Sequence, residues 1–228
     1  MTMLPNPLMS ACLARPDHPA LKCGNTEQTF RALTFRVRAL ASAYVTRGVE
    51  PGSKVLLLIE EPCVWIHHFL ALRWVGAVTF LLRPNLDFRG LESVFLETGA
   101  LVAVTDQEKL SKRPNVILDS HLILSEELAE ERFWSLADPA LALRTSGSSG
   151  QAQWHHLSVG QLFFSAMGMM IRLGHHPCDR WYVALPLTFV AGVSMLFRAI
   201  WMGVTTEVGL PFNPKDFREA IESNGVSL

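Results

Sequence analysis

A short run of small polar residues, Thr145-Ser-Gly-Ser-Ser-Gly150, directly follows the apolar segment Leu141–Arg144. Gly147 and Gly150 carry no Cβ, so backbone amides around them can approach a ligand closely and adopt positive φ. The other four side chains of the run are hydroxyl donors, and they are Thr145, Ser146, Ser148 and Ser149. Because successive backbone amides and hydroxyls bind anions, the run is predicted to hold phosphate groups.

The sequence also allows this run to be compared with a flexible linker and with known nucleotide-binding motifs. Glycine and serine alone are typical of flexible linkers, but the run lies between a strand-like segment and a predicted helix, a position that favours a functional turn. It is not a Walker A loop, because that motif needs a lysine that is absent, and it does not match GxGxxG. Gln153 stands where a cation near phosphate groups would be expected.

Apolar strands and amphipathic helices alternate through the first half of the chain. Phe30–Arg47 has apolar residues three and four apart, which predicts a helix. The continuous apolar run Val55–Ile59 predicts a strand buried on both faces, as in a parallel sheet. Further helices are predicted at 63–75 and 87–97, and further strands at 78–82 and 101–105. We therefore predict an α/β fold of layered, mostly parallel sheets flanked by helices.

The second half continues the alternation. We predict a strand near 121–124, a helix over 126–134, the strand 141–144, the polar loop, and a helix from about Ser158 to Leu173 with Ser158 as its N-cap. Strands at 181–185 and 205–210 and helices at 193–202 and 214–223 complete the chain. A strand, glycine loop and helix in that order are typical of a phosphate site. The predicted division is a first α/β subdomain over residues 1–180 and the start of a second over 181–228.

Composition restricts the classes of partner. Twenty basic and 21 acidic residues leave a formal net charge of -1, so no broad field attracts nucleic acid. The most apolar window, Trp181–Gly203, is interrupted by Pro186 and Arg198, so no membrane span is predicted. The N-terminus lacks a basic segment followed by an apolar one, as a secretory signal would require. We expect a cytoplasmic protein whose partner is a small molecule.

No metal site is predicted from the cysteines and histidines. The four cysteines include no CxxC pair, and the adjacent histidine pairs are not part of an HExxH motif. Adjacent residues on a helix do not share a face, so core or surface histidines are the simpler interpretation. The residues offer no basis for assigning a catalytic acid, base or nucleophile.

Thr145–Gly150 matches residue for residue a loop of the form Thr-Ser-Gly-Ser/Thr-Thr/Ser-Gly-x-Pro-Lys. The chain resembles the family that carries it, the adenylate-forming superfamily of acyl-CoA synthetases. Further segments resemble that family in matching order, and they are 15–21, 33–52, 76–86 and 184–192. The resemblance covers essentially the whole chain but only the N-terminal part of a typical member. Within the family, the segment 185–203 looks most like the 2-succinylbenzoate–CoA ligases of menaquinone synthesis.

The resemblance implies the N-terminal portion of the adenylate-forming ligase fold and a two-step ligase reaction. A carboxylic acid attacks the α-phosphate of ATP, with Mg²⁺, to give an acyl-adenylate, and the acyl group then passes to CoA. By resemblance, Thr145, Ser146, Gly147, Ser148, Ser149 and Gly150 hold the β- and γ-phosphates. By the same resemblance, Phe189, Val190, Ala191 and Gly192 shape the acyl pocket, although a lone phenylalanine in an apolar run by itself favours a core position.

Two departures from the family leave a second interpretation open. Ala152-Gln153 replaces Pro-Lys, which removes a charge-assisted contact worth about 1.5–3 kcal/mol. The family's adenine and ribose motifs, hinge and C-terminal lid have no counterpart, so the isolated chain is not expected to complete catalysis. Asn224–Leu228 suggests either a fragment or a short final strand. The alternative function is a catalytically silent relic that acts as a binding or interaction module. An exposed apolar edge would favour a homodimer.

Overall fold

The computed structural model describes residues 3–112, 114–124, 126–146 and 152–227. Two compact units account for the chain, and each combines segments that are distant in sequence. The first unit contains residues 1–36, 133–137 and 159–228, and the second contains residues 37–132 and 138–158. The boundary predicted at residue 180 does not coincide with this division, because residues 159–180 belong with the N-terminal segment.

The strands of the described residues are β1 (Met3–Leu4), β2 (Pro19–Cys23), β3 (Thr26–Thr29), β4 (Lys54–Leu58), β5 (Val78–Leu81), β6 (Val102–Thr105), β7 (Val116–Leu118), β8 (Trp134–Ser135), β9 (Pro139–Ser146), β10 (Ala152–Ser158), β11 (Arg180–Val183) and β12 (Thr205–Val208). The α-helices are α1 (Pro7–Ala14), α2 (Phe30–Thr46), α3 (Pro62–Val75), α4 (Phe88–Thr98), α5 (Val159–Leu173), α6 (Val190–Met202) and α7 (Pro214–Asn224).

The second unit is built on a six-stranded sheet in the order β10-β9-β5-β4-β6-β7. All neighbouring strands pair in parallel except β10, which is antiparallel to β9. Val55, Leu56, Leu57 and Leu58 in β4 are fully buried, as the continuous apolar run predicted. The predicted α/β class with mostly parallel sheets flanked by helices is therefore confirmed.

The first unit is built on a four-stranded sheet in the order β11-β12-β2-β3. Its strands are parallel except β3, which forms an antiparallel hairpin with β2. Helices α5 and α6 pack together over a cluster that includes Ala166, Trp181, Ala199 and Met202. In the described part of the chain, no helix is long and apolar enough to cross a membrane.

The segment 126–134, predicted to be a helix, is extended and irregular. Its backbone carbonyls accept hydrogen bonds from side chains of α2 and α3 within the second unit. The Arg38 Nε atom donates to the Ala129 carbonyl at 2.9 Å, and the Trp74 indole N–H donates to that of Glu130 at 2.8 Å. Since these contacts are non-local, local helix propensity did not reveal them. The strand expected at 121–124 is also wrong, because β7 lies at Val116–Leu118 and a 3₁₀ turn, Asp119–His121, follows it.

The segment after the polar loop is a strand that the sequence did not predict, and the helix predicted from about Ser158 follows it. Ala152–Ser158 forms β10 and pairs along β9, and α5 begins only at Val159. The extended conformation lets Trp154 pack edge-on against Phe80 of the neighbouring β5, with ring centroids 5.1 Å apart. The loop thus joins two antiparallel strands, and Ser158 lies directly before α5, as predicted.

Candidate functional site

The polar loop begins at the carboxyl edge of the parallel sheet. Strand β9 runs parallel to β5, with Leu143 paired to Leu81, and continues to Ser146. Ligands of open α/β sheets bind outside the carboxyl ends of the strands. Thr145 and Ser146 lie at this edge, whereas Gly147, Ser148, Ser149 and Gly150 lie outside the described residues.

The two strands of the hairpin place Gln153 directly opposite Thr145. Both residues are exposed. Because side chains alternate along a strand, Thr145, Gln153 and His155 share one face of the hairpin. His156 lies on the other face, where its ring packs edge-on against Phe80 at 5.5 Å. Of the two neighbouring histidines, His155 is therefore the one placed on the face of Gln153.

A cluster on the opposite face ties the hairpin to the last turn of α4. Arg144 and Trp154 form the cross-strand pair next to Thr145 and Gln153, on the side away from the loop. The Glu97 carboxylate accepts from the Arg144 guanidinium at 3.3 Å and from the Trp154 indole N–H at 3.2 Å. The Arg144 guanidinium also lies over the Trp154 ring, 5.8 Å from its centroid. The cluster could not be predicted from the sequence, since no spacing relates residue 97 to residues 144 and 154.

The opposite end of β9 is held by a fully buried arginine in α3. The Arg73 Nη1 atom donates to the carbonyl of Ala77 at 2.6 Å and to the carbonyls of Pro139 and Ala140 at 3.3 and 3.2 Å. Burial lowers the pKa of Arg73 to about 10. Arg73 therefore fixes where β9 begins, and with it the register that brings Thr145 to the sheet edge.

Loops that follow the other parallel strands line the same carboxyl edge. The Asp106 carboxylate, after β6, accepts from the backbone N–H groups of Glu60 and Glu61 at 2.8 and 3.1 Å. The Glu61 carboxylate caps α3 by accepting from the Val64 N–H. An exposed arginine, Arg83, follows β5, the strand beside β9. Among the described residues, this edge therefore carries acidic groups, Asp106 and Glu61, as well as the cation Arg83.

The second predicted motif lies in the first unit, at the start of α6. Phe189 is 46% exposed and Val190 is 53% exposed, while Ala191 is exposed and Gly192 is buried. The core interpretation of Phe189 is therefore wrong. The loop and this motif belong to different units.

Close backbone contact explains the glycine in this motif. A Cβ at Gly192 would lie 2.4 Å from the Pro186 carbonyl oxygen and 2.5 Å from that of Leu185. The Phe189 N–H donates to the same Pro186 carbonyl at 3.0 Å. The Leu-Pro turn and the first turn of α6 thus pack backbone to backbone, which holds Phe189 and Val190 at the surface.

A class of protein follows from these features together with the sequence comparisons. The chain belongs to the family of AMP-binding enzymes, which matches residues 9–228. It is 27% identical over 230 residues to a 2-succinylbenzoate–CoA ligase of Bacillus cereus, covering 100% of this chain and 48% of that protein. A 2-succinylbenzoate–CoA ligase of a Geobacillus species is 27% identical over 232 residues, with 100% and 47% covered. The chain thus spans about half the length of the curated relatives it matches.

Solved structures support the same fold. O-succinylbenzoate coenzyme A synthetase of Bacillus subtilis in complex with AMP superposes with a TM-score of 0.91 at 24% identity, covering 99% of this chain and 61% of that one. The same enzyme in complex with ATP and magnesium ion gives a TM-score of 0.91 at 24% identity, with 99% and 49% covered. The described residues therefore have the N-terminal part of the adenylate-forming fold, as the sequence predicted.

Proposed function

We propose that this chain is the nucleotide-binding N-terminal part of an ATP-dependent acid:CoA ligase. The observation that carries the proposal is the position of the Thr145–Gly150 run, which begins at the carboxyl edge of β9 in a member of the AMP-binding family. In the first step, a carboxylate oxygen of the acid attacks the α-phosphorus of ATP. The bond to pyrophosphate breaks, and acyl-adenylate forms. In the second, the CoA sulfur attacks the acyl carbon and AMP leaves.

The loop's role in this proposal is electrostatic. Backbone amides and hydroxyls of residues 145–150 would hold the β- and γ-phosphates, which gain charge as pyrophosphate departs. Mg²⁺ in such sites is bound largely through substrate phosphates, so it does not require a dedicated cage of protein carboxylates. Arg83, after the strand next to β9, would place a cation at the same edge, where Gln153 is neutral.

We propose 2-succinylbenzoate as the acid. The proposal rests on the two relatives of that name, which align with the whole chain. The exposed side chains of Phe189 and Val190 would offer an apolar surface to an aromatic acid, with Ala191 and the close-packed Gly192 completing that wall. We also propose that the protein works in the cytoplasm.

Nucleotide binding and pyrophosphate exchange test the function in two stages. Titration calorimetry should give saturable binding of ATP with Mg²⁺, and replacing Ser148 and Ser149 with alanine should weaken it. Exchange of labelled pyrophosphate into ATP that depends on 2-succinylbenzoate would support the acid. Absence of saturable nucleotide binding would contradict the ligase proposal and favour the alternative, a silent interaction module, for which the neutral Gln153 beside the loop is the motivating observation.

A homodimer is a further proposal, based on α5. Most residues of α5 are apolar, and the apolar surface of a helix is normally buried. Phe164 is nonetheless 63% exposed and Ile171 is 82% exposed. We infer that a second copy covers this face. Light scattering after gel filtration should give twice the chain mass of 25.4 kDa, and Ile171→Lys should return it to the monomer value. A monomeric wild-type chain would contradict the proposal.

A further inference from the structure

We propose that Glu97 is a positioning residue for the phosphate loop, acting through the hairpin that carries it. Glu97 lies in the last turn of α4 and does not belong to the loop or its flanking strands. Its carboxylate is the common acceptor for one side chain from each strand of the hairpin. The inference rests on the proposed nucleotide-binding function and names a residue that supports it.

The contacts of Glu97 divide between its two carboxylate oxygens. Oε1 accepts from the Arg144 guanidinium at 3.3 Å and from the Ser93 hydroxyl at 3.2 Å. Oε2 accepts from the Trp154 indole N–H at 3.2 Å. Since Arg144 and Trp154 face each other in β9 and β10, one carboxylate holds both strands at a single cross-strand pair. Ser93, one turn earlier in α4, orients that carboxylate.

The position of this pair explains why the contact matters for a ligand. The next cross-strand pairs are Thr145 with Gln153 and Ser146 with Ala152, and the loop follows them. Among the strands of the described residues, β10 lies at the edge of its sheet and pairs with β9 alone, so its other backbone edge has no strand partner there. A contact to α4 therefore limits the twisting of the hairpin, and donors held in place beforehand bind phosphate better than mobile ones.

Because these side chains are partly exposed, their ion pair can position the hairpin without contributing much to the stability of the whole chain. The side chains of Arg144 and Glu97 are 39% and 36% exposed. Ion pairs with this exposure contribute little to global stability. Loss of the Glu97 contact is therefore expected to change the order of the hairpin and the affinity of the loop while leaving the unfolding midpoint of the chain almost unchanged.

The test compares Glu97→Ala and Glu97→Gln with a matched control, Asp17→Asn. Asp17 forms an exposed ion pair with Arg31 at 3.1 Å in the first unit, away from the hairpin in sequence. Amide hydrogen exchange over residues 143–146 and 152–156 measures the order of the hairpin, and calorimetry measures the dissociation constant of ATP with Mg²⁺. Glu97→Ala should speed exchange at the hairpin and weaken ATP binding about 2- to 30-fold. Glu97→Gln, which keeps an acceptor oxygen, should have a smaller effect, and Asp17→Asn should have none.

Each outcome decides one claim. We call the contact of Glu97 with Arg144 and Trp154 the clamp. If Glu97→Ala leaves amide exchange at the hairpin unchanged, the clamp does not order the hairpin, whether or not the affinity for ATP changes. Faster exchange with an unchanged ATP dissociation constant would overturn the positioning role. If the wild-type chain binds no ATP, the proposed function fails and the positioning role fails with it, whereas the clamp is still judged by hydrogen exchange alone.

Discussion

Gln153 lies directly opposite Thr145 in the antiparallel pairing of β9 with β10. The neutral amide that stands in place of the family's lysine therefore lies opposite the first residue of the polar loop, on the same face of the hairpin. The identity of this one side chain should consequently control how strongly the loop attracts a polyphosphate.

Gln153→Lys should tighten binding of ATP with Mg²⁺ about 10- to 150-fold, since one charge-assisted hydrogen bond is worth about 1.5–3 kcal/mol. Calorimetry at constant ionic strength measures the dissociation constant. Asn25→Lys, at an exposed residue between β2 and β3 in the first unit, adds the same charge and serves as the control. Equal tightening in both variants would mean that net charge, and not the position of residue 153, is responsible.

Arg73→Ala should destabilise the chain by about 3 kcal/mol or more. The change leaves a cavity in the core and removes the donor that the carbonyls of Ala77, Pro139 and Ala140 share. Urea unfolding followed by circular dichroism gives the free energy. Arg89→Ala replaces an exposed arginine in α4 and should change stability by less than about 0.5 kcal/mol. Similar losses in both variants would show that Arg73 does not anchor β9.

Gly192→Ala should destabilise the start of α6 by about 1–3 kcal/mol, because the added Cβ would meet the carbonyls of Pro186 and Leu185 at 2.4 and 2.5 Å. Gly168→Ala in α5 meets no atom within 4 Å and should stabilise the chain by about 0.5–1 kcal/mol through helix propensity. Thermal unfolding of both variants makes the comparison. A neutral Gly192→Ala would mean that the turn before α6 can move away from the helix.

The contribution of Tyr44 to the stability of the chain should fall as the pH rises above about 10. Tyr44 is fully buried with its hydroxyl 2.5 Å from His68 Nδ1, and burial raises the pKa of Tyr44 well above the ordinary value of 10.0. Above pH 10 the unfolded chain loses this proton while the folded chain keeps it, so unfolding is favoured.

Urea unfolding at pH 8, 10 and 11 of the wild-type chain and of Tyr44→Phe isolates this contribution to the slope of stability against pH, because the lowered pKa of Arg73, which acts in the opposite direction, is common to both chains. The wild-type chain should lose more stability, or gain less, than Tyr44→Phe above pH 10. Tyr182, whose pKa is raised by partial burial, should retain a part of the slope, so Tyr182→Phe is the matched control. At pH 8, Tyr44→Phe should cost about 1–3 kcal/mol, because the buried His68 loses a partner. An unchanged slope in Tyr44→Phe would contradict the assignment to this hydroxyl.

Local sequence was a good guide to strands that are buried on both faces and to amphipathic helices. The run Val55–Ile59 predicted β4 because every side chain along it is apolar, whatever its partner strands are. The spacing in 30–47 predicted α2 within a residue of its end. In both segments the pattern of apolar residues follows from which of the segment's own side chains are buried, so it can be recognised without knowing the partner elements.

Partners distant in sequence decided the segments where prediction failed. Residues 126–134 are extended because side chains of α2 and α3 bind their carbonyls, and 152–158 is a strand because β9 pairs with it. The spacing of apolar and polar residues within each segment does not indicate these partners. The first unit likewise joins residues 19–29 with residues 180–208 in one sheet, a pairing that no contiguous subdomain boundary could express.

The sequence by itself determined the loop motif, the family and the α/β class, because these depend on residue identity and on the periodicity of short segments. Only the tertiary structure decided that the loop closes a hairpin, that Gln153 faces Thr145 and that Glu97 holds both strands beneath them. The physical reason is that cross-strand register and side-chain clamps are set by hydrogen bonds between residues far apart in the chain, which exist only once the sheet has formed.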